Sequence, residues 1–260
     1  MSRVAPKRRL GQHFLVDRNV LGVIERLARL SPDDVVLEVG PGLGVLSTFL
    51  ADRVRHVHAI ELDHSLEPPL REAVGGRDNV QLVFADALAV DLASLAPPAA
   101  KLVANLPYNV ATPLVAETLT SVATLSSWCV MVQREVADRF FAEPGTKAYG
   151  AVSVLVRLHA RRTGFHPVSR TVFRPPPNVD SALVAFERIE PPPNAAAVLR
   201  VVTAAFGHRR KTLANALALA GVASREQAVD ALATIGLRED VRAEALEPAE
   251  FVRLAGALDQ

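Results

Sequence analysis

The sequence predicts an α/β protein in which a doubly wound, mostly parallel sheet is followed by a small all-helical domain. Between residues 35 and 132, short apolar runs of strand length alternate with helical patterns, as in proteins whose helices cover a parallel sheet. A glycine-rich turn joins the first apolar run to a helix, which is typical of this architecture. Beyond residue 193 only helical spacing occurs, so the sheet is expected to end before that point.

The elements of the sheet domain follow from apolar spacing and from residues that start or stop helices. Asp17 can cap the first helix, and Ser31-Pro32 ends it. Apolar runs predict strands at 35–39, 56–60, 80–84, 102–104 and 128–132. Helical spacing predicts helices around 46–50, from residue 112, at 133–141 and at 152–158.

A change of composition near residue 190 predicts two domains. Residues 162–188 are expected to form two strands around the Pro-rich segment 173–181, which cannot itself be a regular strand or helix. Three prolines at 191–193 then mark a boundary between a sheet domain at 1–190 and a helical domain at 191–260. The helical domain is expected to contain helices at 198–206, 211–220, 225–235 and 248–258.

The charge of the chain is balanced overall but clustered locally. A formal net charge of +1, from 29 basic and 28 acidic residues, does not indicate a nucleic-acid partner. Basic clusters either contact phosphates or form solvated faces, and three of them in a nearly neutral chain favour phosphate contacts. The clusters are Arg3 with Lys7, Arg8 and Arg9; Arg161 with Arg162; and His208 with Arg209, Arg210 and Lys211.

Cysteine usage and apolar patterning indicate a cytoplasmic protein. The single cysteine, Cys129, excludes an internal disulfide, and no zinc-type cysteine spacing occurs, so no metal site is expected. Residues 1–16 are expected to form a basic, loop-like arm, and they contain charges but no apolar secretion signal. Longer apolar stretches are interrupted well before the ~18 residues that a membrane span needs. We therefore expect neither export nor a membrane partner.

Glycines and acids mark a binding crevice at the ends of the first three predicted strands. The turn from Gly40 to Gly44 joins a strand to a helix, where backbone amides can approach a polar cofactor closely. Glu61 ends the second strand 21 residues after Gly40 (61 − 40), where doubly wound folds bind ribose hydroxyls. Val45 replaces the last glycine of the dinucleotide pattern, which disfavours a dehydrogenase. Asp86 can accept a hydrogen bond from an adenine amine or can cap a helix.

The most specific pattern is Asn105-Leu106-Pro107-Tyr108, which follows the apolar run 102–104. Pro107 prevents the strand from continuing, so the chain must turn at the ligand crevice. The Asn105 amide oxygen and the Leu106 carbonyl can accept hydrogen bonds from an exocyclic amine, and the Tyr108 ring can stack on a base. An ordinary turn with Tyr108 packed on its own loop is the alternative interpretation.

Taken in order, these motifs resemble the adenine-N6 dimethyltransferases of ribosomal RNA, most closely the bacterial small-subunit branch of the KsgA type. The resemblance covers nearly the whole chain and implies a Rossmann-like, S-adenosylmethionine-dependent methyltransferase domain followed by a helical domain. The motifs that carry it are 7–15, Glu38 to Gly44, Ile60 to Asp63, Asp86 to Leu88, Asn105 to Asn109, Lys147 to Gly150, Phe173 to Ser181 and Ala205 to Thr212.

The resemblance also implies how S-adenosylmethionine is held. The glycines let the backbone approach the cofactor, Glu61 holds its ribose hydroxyls and Asp86 binds its adenine amine. Residues 13 and 15 close over its methionine end, and the family more often has Asn at position 13. The implied cofactor-binding residues are His13, Leu15, Gly40, Gly42, Glu61, Asp86 and Asn105.

The implied reaction is dimethylation of the N6 amine of two adjacent adenines near the 3′ end of small-subunit ribosomal RNA. Asn105 and the Leu106 carbonyl accept the N6 hydrogens and so favour attack by a weak nucleophile. Tyr108 stacks on one face of the base, and Phe173 either covers the other face or packs in the core. The implied catalytic residues are Asn105, Leu106, Pro107, Tyr108 and Phe173.

The expected partners are small-subunit ribosomal RNA and the pre-30S particle, bound by a monomer. Phosphate contacts of this kind set affinity and salt dependence rather than sequence choice. A large-subunit methyltransferase of the macrolide-resistance type and a non-catalytic nucleic-acid-binding relative are the alternatives, with a dehydrogenase as a more distant one. The predicted RNA-binding residues are Lys7, Arg8, Arg9, Arg161, Arg162, Arg209, Arg210 and Lys211.

Overall fold

The computed structural model describes residue 7, residues 11–208 and residues 210–259. Contacts divide them into two compact units, one containing the chain up to Ala137 together with Arg161–Arg188, the other Asp138–Ala160 together with the chain from Ile189. This division differs from the predicted boundary, because 138–160 belong to the second unit. The reason is packing: Tyr149 and Val154 are fully buried in the core of the helical unit.

The predicted strands and helices are present, with ends shifted by a few residues. The strands are β1 (Phe14–Leu15), β2 (Val35–Val39), β3 (His56–Glu61), β4 (Val80–Phe84), β5 (Lys101–Asn105), β6 (Ser127–Gln133), β7 (Ala160–Val168), β8 (Phe173–Arg174) and β9 (Ser181–Arg188). The helices are α1 (Asn19–Ala28), α2 (Val45–Ala51), α3 (Glu67–Val74), α4 (Ala111–Ser121), α5 (Arg134–Phe140), α6 (Ala151–His159), α7 (Ala195–Gly207), α8 (Leu213–Leu219), α9 (Arg225–Thr234) and α10 (Pro248–Leu258).

A seven-stranded sheet forms the first unit, in the order β4-β3-β2-β5-β6-β9-β7. Strands β2 to β6 are parallel to one another, and β9 lies antiparallel to β6, with Gln133 opposite Ser181. Every residue of β2 is buried, as expected for a parallel strand covered on both faces. The strand order reverses between β2 and β5, which is where open α/β sheets bind ligands.

A second, two-stranded sheet joins the N-terminal segment to the Pro-rich region. Phe14 lies opposite Arg174 and Leu15 opposite Phe173 in an antiparallel ladder, which is extended by a hydrogen bond from Val16 N to the Val172 carbonyl. Residues 1–16 were predicted to form a loop-like arm, and for residues 14 and 15 this prediction is wrong. The partner strand lies more than 150 residues away, so no local pattern could indicate the pairing.

The helical unit has its own core, in which Phe251, Leu217 and Leu232 are fully buried. Ser224 begins α9 with a capping box, in which its hydroxyl accepts from Gln227 N while the Gln227 side chain accepts from Ser224 N. Across the described part of the chain, no helix has both the length and the apolar character to cross a membrane.

Arg188, at the end of β9, fixes the end of α4. Its guanidinium donates to the carbonyls of Leu125, Leu119 and Val122 at 2.7, 2.9 and 2.9 Å and stacks on the Trp128 ring. Carbonyls at the end of a helix have no partner within it. Arg188 therefore supplies a donor to the Leu119 and Leu125 carbonyls and a second donor to the Val122 carbonyl, which also accepts from Leu125 N.

Candidate active site

A cavity opens at the carboxyl ends of β2, β3, β4 and β5, on both sides of the strand-order reversal. It is lined by the glycine turn after β2, the acidic tips of β3 and β4, the Asn-Leu-Pro-Tyr turn after β5 and the N-terminal segment 11–15. Within the first unit, the structure thus brings together the sequence-predicted residues His13, Leu15, Gly40, Gly42, Glu61, Asp86, Asn105, Leu106, Pro107 and Tyr108.

The glycine turn provides both an unusual backbone and room for its neighbours. Gly40 and Gly42 have φ values of +76° and +60°, a region that favours glycine. A Cβ atom added at Gly40 would lie 3.0 Å from Pro107 Cδ, and one at Gly42 would lie 3.0 Å from the Phe14 ring. These glycines therefore let two other walls of the cavity approach the turn, besides leaving its backbone open to a ligand.

Glu61 is held in place by backbone donors. Its Oε2 accepts from Gly42 N at 3.0 Å, and its Oε1 accepts from Asp63 N at 2.9 Å. Burial raises the pKa of this carboxyl, although the two backbone hydrogen bonds oppose the rise. Each oxygen keeps a further lone pair, so the carboxylate can still accept from two hydroxyls of a ligand.

Asp63 ties the N-terminal segment to the tip of β3. Lys7 Nζ lies 2.6 Å from Asp63 Oδ1, and Gln12 Nε2 donates to Oδ2 at 2.8 Å. Burial alone would raise the pKa of this carboxyl, but hydrogen bonds from Lys7, Ser65 and Gln12 hold it well below its usual range. No role was predicted for Asp63, although a second acid at the tip of the strand was a signal in the sequence.

The tips of β3 and β4 form a slot with apolar sides and one acidic group. Leu62 and Leu88 are 48% and 42% exposed and both line the cavity. Asp86 Oδ1 accepts from Leu88 N at 3.0 Å, which leaves Oδ2 for another donor. Asp86 therefore begins a turn, and no helix starts there, so the predicted alternative of a helix cap is not observed. The turn contact is compatible with ligand binding by the other oxygen. Neither leucine was predicted as a site residue. The signal in the sequence was an apolar residue one or two positions after Glu61 and Asp86.

Glu38 is a further functional candidate that was not predicted from the sequence. It is 1% exposed, lines the cavity, and its Oε2 has no hydrogen-bond partner. Burial raises the pKa of this carboxyl to about 8, and the nearby Glu61 carboxylate adds to the rise. A buried carboxyl oxygen without a partner is costly, so a donor or a cation entering the cavity would find favourable chemistry here.

The Asn105 amide has a defined orientation. Its Nδ2 donates to the His13 carbonyl at 3.3 Å, so its Oδ1 is left as a free acceptor. Leu106 N donates to the Met131 carbonyl, while the Pro107 carbonyl accepts from Val110 N and Ala111 N to start α4. The predicted turn after β5 is therefore present, and it leaves an amide oxygen at the cavity.

Tyr108 is held at its ring and at its hydroxyl. The phenol oxygen lies 2.7 Å from Ser181 Oγ, and the ring stacks on His13 with centroids 5.4 Å apart and an interplanar angle of 30°. His13 Nδ1 in turn lies 2.7 Å from the Pro175 carbonyl. Tyr108 thus lines the cavity instead of packing on its own loop.

Phe173 does not line the cavity, and the prediction that it faces a bound base is wrong. The ring is 1% exposed and packs in the core of the first unit with Leu15 and Val168. Pairing of Phe173 with Leu15 in the β1–β8 ladder places this residue in the core. The alternative stated for Phe173, a connector residue buried in the core, is the one observed.

The predicted RNA-binding residues have different environments. Lys7 is paired with Asp63, and Arg161 is exposed but paired with Glu187. Arg162, Arg210 and Lys211 have exposed side chains, the first on β7 and the others between α7 and α8. Arg8, Arg9 and Arg209 lie outside the described residues.

Among the residues that are described, no group of three or more His, Cys, Asp or Glu side chains could hold a metal ion.

Comparison with known proteins gives one consistent result. The ribosomal RNA small subunit methyltransferase A of Rubrobacter xylanophilus is 49% identical over 250 residues, covering 96% of this chain and 94% of the relative. That of Thermobifida fusca is 45% identical, covering 97% of this chain and 90% of the relative.

Two solved structures are similar over most of their length. The 23S rRNA methyltransferase ErmE is 30% identical with a TM-score of 0.69, covering 95% of this chain and 100% of that one. A dimethyladenosine transferase from Plasmodium falciparum shares the fold, at 23% identity and a TM-score of 0.79, over 93% of this chain and 96% of that one. The family model described as "Ribosomal RNA adenine dimethylase" matches residues 4–260. The chain therefore belongs to the ribosomal RNA adenine dimethylase family.

Proposed function

We propose that this protein is an S-adenosylmethionine-dependent enzyme that dimethylates the N6 amine of two adjacent adenines near the 3′ end of small-subunit (16S) ribosomal RNA. The observation that carries the proposal is the orientation of Asn105. Its amide nitrogen is bound by the His13 carbonyl, and its amide oxygen is left to accept a hydrogen from an amine in the cavity. The small-subunit relatives at 43–49% identity support the choice of RNA.

The cavity fits S-adenosylmethionine, which when bound supplies an electrophilic methyl group on a positively charged sulfur. Leu62 and Leu88 offer exposed apolar sides to an adenine ring, and the free Oδ2 of Asp86 can accept from its amine. Glu61 can accept from two ribose hydroxyls. The unpartnered Oε2 of Glu38 suits the positively charged end of the cofactor, because a cation favours the ionised carboxylate.

The acceptor chemistry needs hydrogen-bond acceptors more than a strong base. The N6 lone pair of adenine is delocalised into the ring, so the amine is a poor nucleophile. Asn105 Oδ1 and the Leu106 carbonyl accept the N6 hydrogens and stabilise the geometry in which the lone pair is available for attack. A monomethylated amine keeps one hydrogen, so the same acceptors can serve the second transfer.

Tyr108 supplies the stacking surface for a base swung out of the RNA. Stacking of this kind contributes roughly 1–3 kcal/mol per base. Phe173 does not take part in this stacking, since its ring is in the core.

Arg162, Arg210 and Lys211 provide exposed positive charge for RNA phosphates, which gives salt-dependent affinity. In this proposal a monomer works in the cytoplasm on the pre-30S particle.

The proposal is tested by mass spectrometry of ribosomal RNA. Small subunits that lack N6-methylated adenine are incubated with the purified protein, with and without S-adenosylmethionine, beside naked large-subunit RNA. We expect N6,N6-dimethyladenine in the small subunits, only when the cofactor is present. Methylation of the large-subunit RNA instead would support the macrolide-resistance alternative. Tight cofactor binding with no methyl transfer to either RNA would support a non-catalytic relative.

A further inference from the structure

Three residues hold the Tyr108 ring that we assign to base stacking, two of them by direct contact and the third through His13. We name His13, Tyr108, Pro175 and Ser181 the Tyr108 clamp. The Tyr108 hydroxyl and Ser181 Oγ are 2.7 Å apart, and the His13 ring stacks on the Tyr108 ring. His13 Nδ1 is 2.7 Å from the Pro175 carbonyl. Because a carbonyl can only accept, Nδ1 carries the hydrogen of this bond.

The supports of the clamp belong to rigid elements. Ser181 is 1% exposed and begins β9, where it pairs with Gln133 in the main sheet. His13 and Pro175 directly flank the β1–β8 ladder, in which Phe14 pairs with Arg174. The hydroxyl and the ring face of Tyr108 are therefore each fixed to a β-ladder instead of being free to rotate. Side chains fixed in this way lose less entropy when a ligand binds.

Stacking of His13 also determines which surface of Tyr108 is open. The His13 ring lies against one face of the tyrosine at a tilt of 30°. The backbone of the same residue binds the Asn105 amide through its carbonyl. His13 therefore contacts both Asn105, which would bind the N6 amine, and Tyr108, whose ring would stack on the base.

From this geometry we propose that His13 and Ser181 are positioning residues that fix the Tyr108 ring so that its open face receives the acceptor adenine beside Asn105. The inference rests on the proposed function and adds the side chains that orient the base. His13 acts by its ring, through the stack on Tyr108, and Ser181 acts by its hydroxyl. Neither residue needs to touch the reacting atoms.

The test measures methyl transfer to unmethylated small subunits, cofactor affinity by calorimetry, and the unfolding midpoint. Ser181→Ala and Tyr108→Phe each break the same hydrogen bond, so each should lower kcat by about 3- to 10-fold. Because they remove one interaction, the double variant should be no slower than either single variant. His13→Ala should lower kcat similarly, whereas His13→Phe, which keeps an aromatic ring, should retain most of it. Cofactor affinity should stay within about two-fold in Ser181→Ala and Tyr108→Phe, since the hydrogen bond that they break acts on the acceptor.

Matched controls come from the helical unit. Ser153→Ala removes a buried hydroxyl that donates to the Arg139 carbonyl, and His159→Ala removes a buried ring whose Nδ1 contacts the Leu155 carbonyl. Both should leave kcat unchanged. If Ser181→Ala does not fold, Tyr108→Phe serves as the test. It removes the same hydrogen bond by changing a partly exposed residue.

Several results would overturn the inference. Multiplicative losses in the Ser181→Ala/Tyr108→Phe double variant would show that the two side chains act separately. Unchanged kcat in His13→Ala would exclude a positioning stack. Parallel losses of cofactor affinity and unfolding midpoint would indicate a merely structural role. Absence of methyl transfer by the unaltered protein would instead refute the proposed function, and the inference with it.

Discussion

Glu38→Gln should remove a large part of the pH dependence of stability in the cofactor-free protein. The Glu38 carboxyl is buried, and its Oε2 has no hydrogen-bond partner. Burial raises its pKa from 4.5 to about 8, with a further contribution from the Glu61 carboxylate. The folded protein therefore holds this carboxyl in its neutral form through most of the range in which the unfolded chain has already released the proton.

The sign and size of the effect follow from linkage between protonation and folding. A carboxyl whose pKa is raised by folding contributes stability that is fully present below about pH 4.5 and is lost as the pH rises through about 8. One pKa unit corresponds to about 1.4 kcal/mol. Between pH 5 and pH 8, Glu38 should therefore lower the free energy of unfolding by about 3 kcal/mol.

The assay is urea unfolding followed by tryptophan fluorescence at several pH values from 5 to 8. The single tryptophan, Trp128, lies in β6, so it reports on the unit that contains Glu38. Other groups, such as His56, whose pKa is lowered by burial, titrate in both proteins and cancel in the comparison. Glu72→Gln, at an exposed carboxylate of α3, is the matched control.

We expect Glu38→Gln to lose less stability than the unaltered protein between pH 5 and pH 8, by about 3 kcal/mol. The Glu72→Gln curve should follow that of the unaltered protein. Parallel curves for Glu38→Gln and the unaltered protein, within about 0.5 kcal/mol, would refute the reasoning. They would mean that the folded protein stabilises the ionised carboxylate as well as water does.

Three further substitutions test other parts of the structure. Asn105→Ala should lower methyl transfer by about 10²- to 10³-fold and leave cofactor affinity within a few-fold; lost affinity with normal turnover at saturation would contradict its role at the acceptor. Glu61→Ala should weaken cofactor binding by at least about 10-fold, because two hydrogen bonds to a carboxylate are lost; unchanged affinity by calorimetry would exclude the ribose assignment. Arg188→Ala should lower the free energy of unfolding by about 3 kcal/mol or more, since buried carbonyls lose their donor; an unchanged urea midpoint would count against the contacts at the end of α4.

Local patterns were sufficient to predict the sheet and most of the crevice. The parallel strand β5 is apolar over its buried stretch 102–104, β2 is apolar except for Glu38, and Pro107 follows the end of β5 where the turn was predicted. Gly40, Glu61 and Asp86 follow successive strands, and parallel strands place such residues at one edge of the sheet. The apolar pattern of the strands and their parallel order were therefore enough to predict that these three residues lie close together.

The rest of the site depends on contacts between residues far apart in the sequence. Phe173 was placed at the base because the family resemblance implies it, with the core as the alternative, and its pairing with Leu15 buries it. Residues 138–160 were assigned to the sheet domain because no boundary precedes them, but Tyr149 packs in the helical core. Apolar spacing shows that a residue is buried without showing which core receives it.

Residues near the N-terminus contact both ends of the cavity. Lys7 and Gln12 bind the Asp63 carboxylate at the tip of β3, where Asp63 N also holds Glu61. The next residue, His13, binds the Asn105 amide at the tip of β5. The strand tips are 42 residues apart (105 − 63), yet adjacent residues of one short segment contact both. In the proposed mechanism, a displacement of this segment would release both Asn105, which orients the acceptor amine, and Asp63, whose backbone N–H binds Glu61. We therefore expect cofactor binding and acceptor geometry to be coupled through this segment.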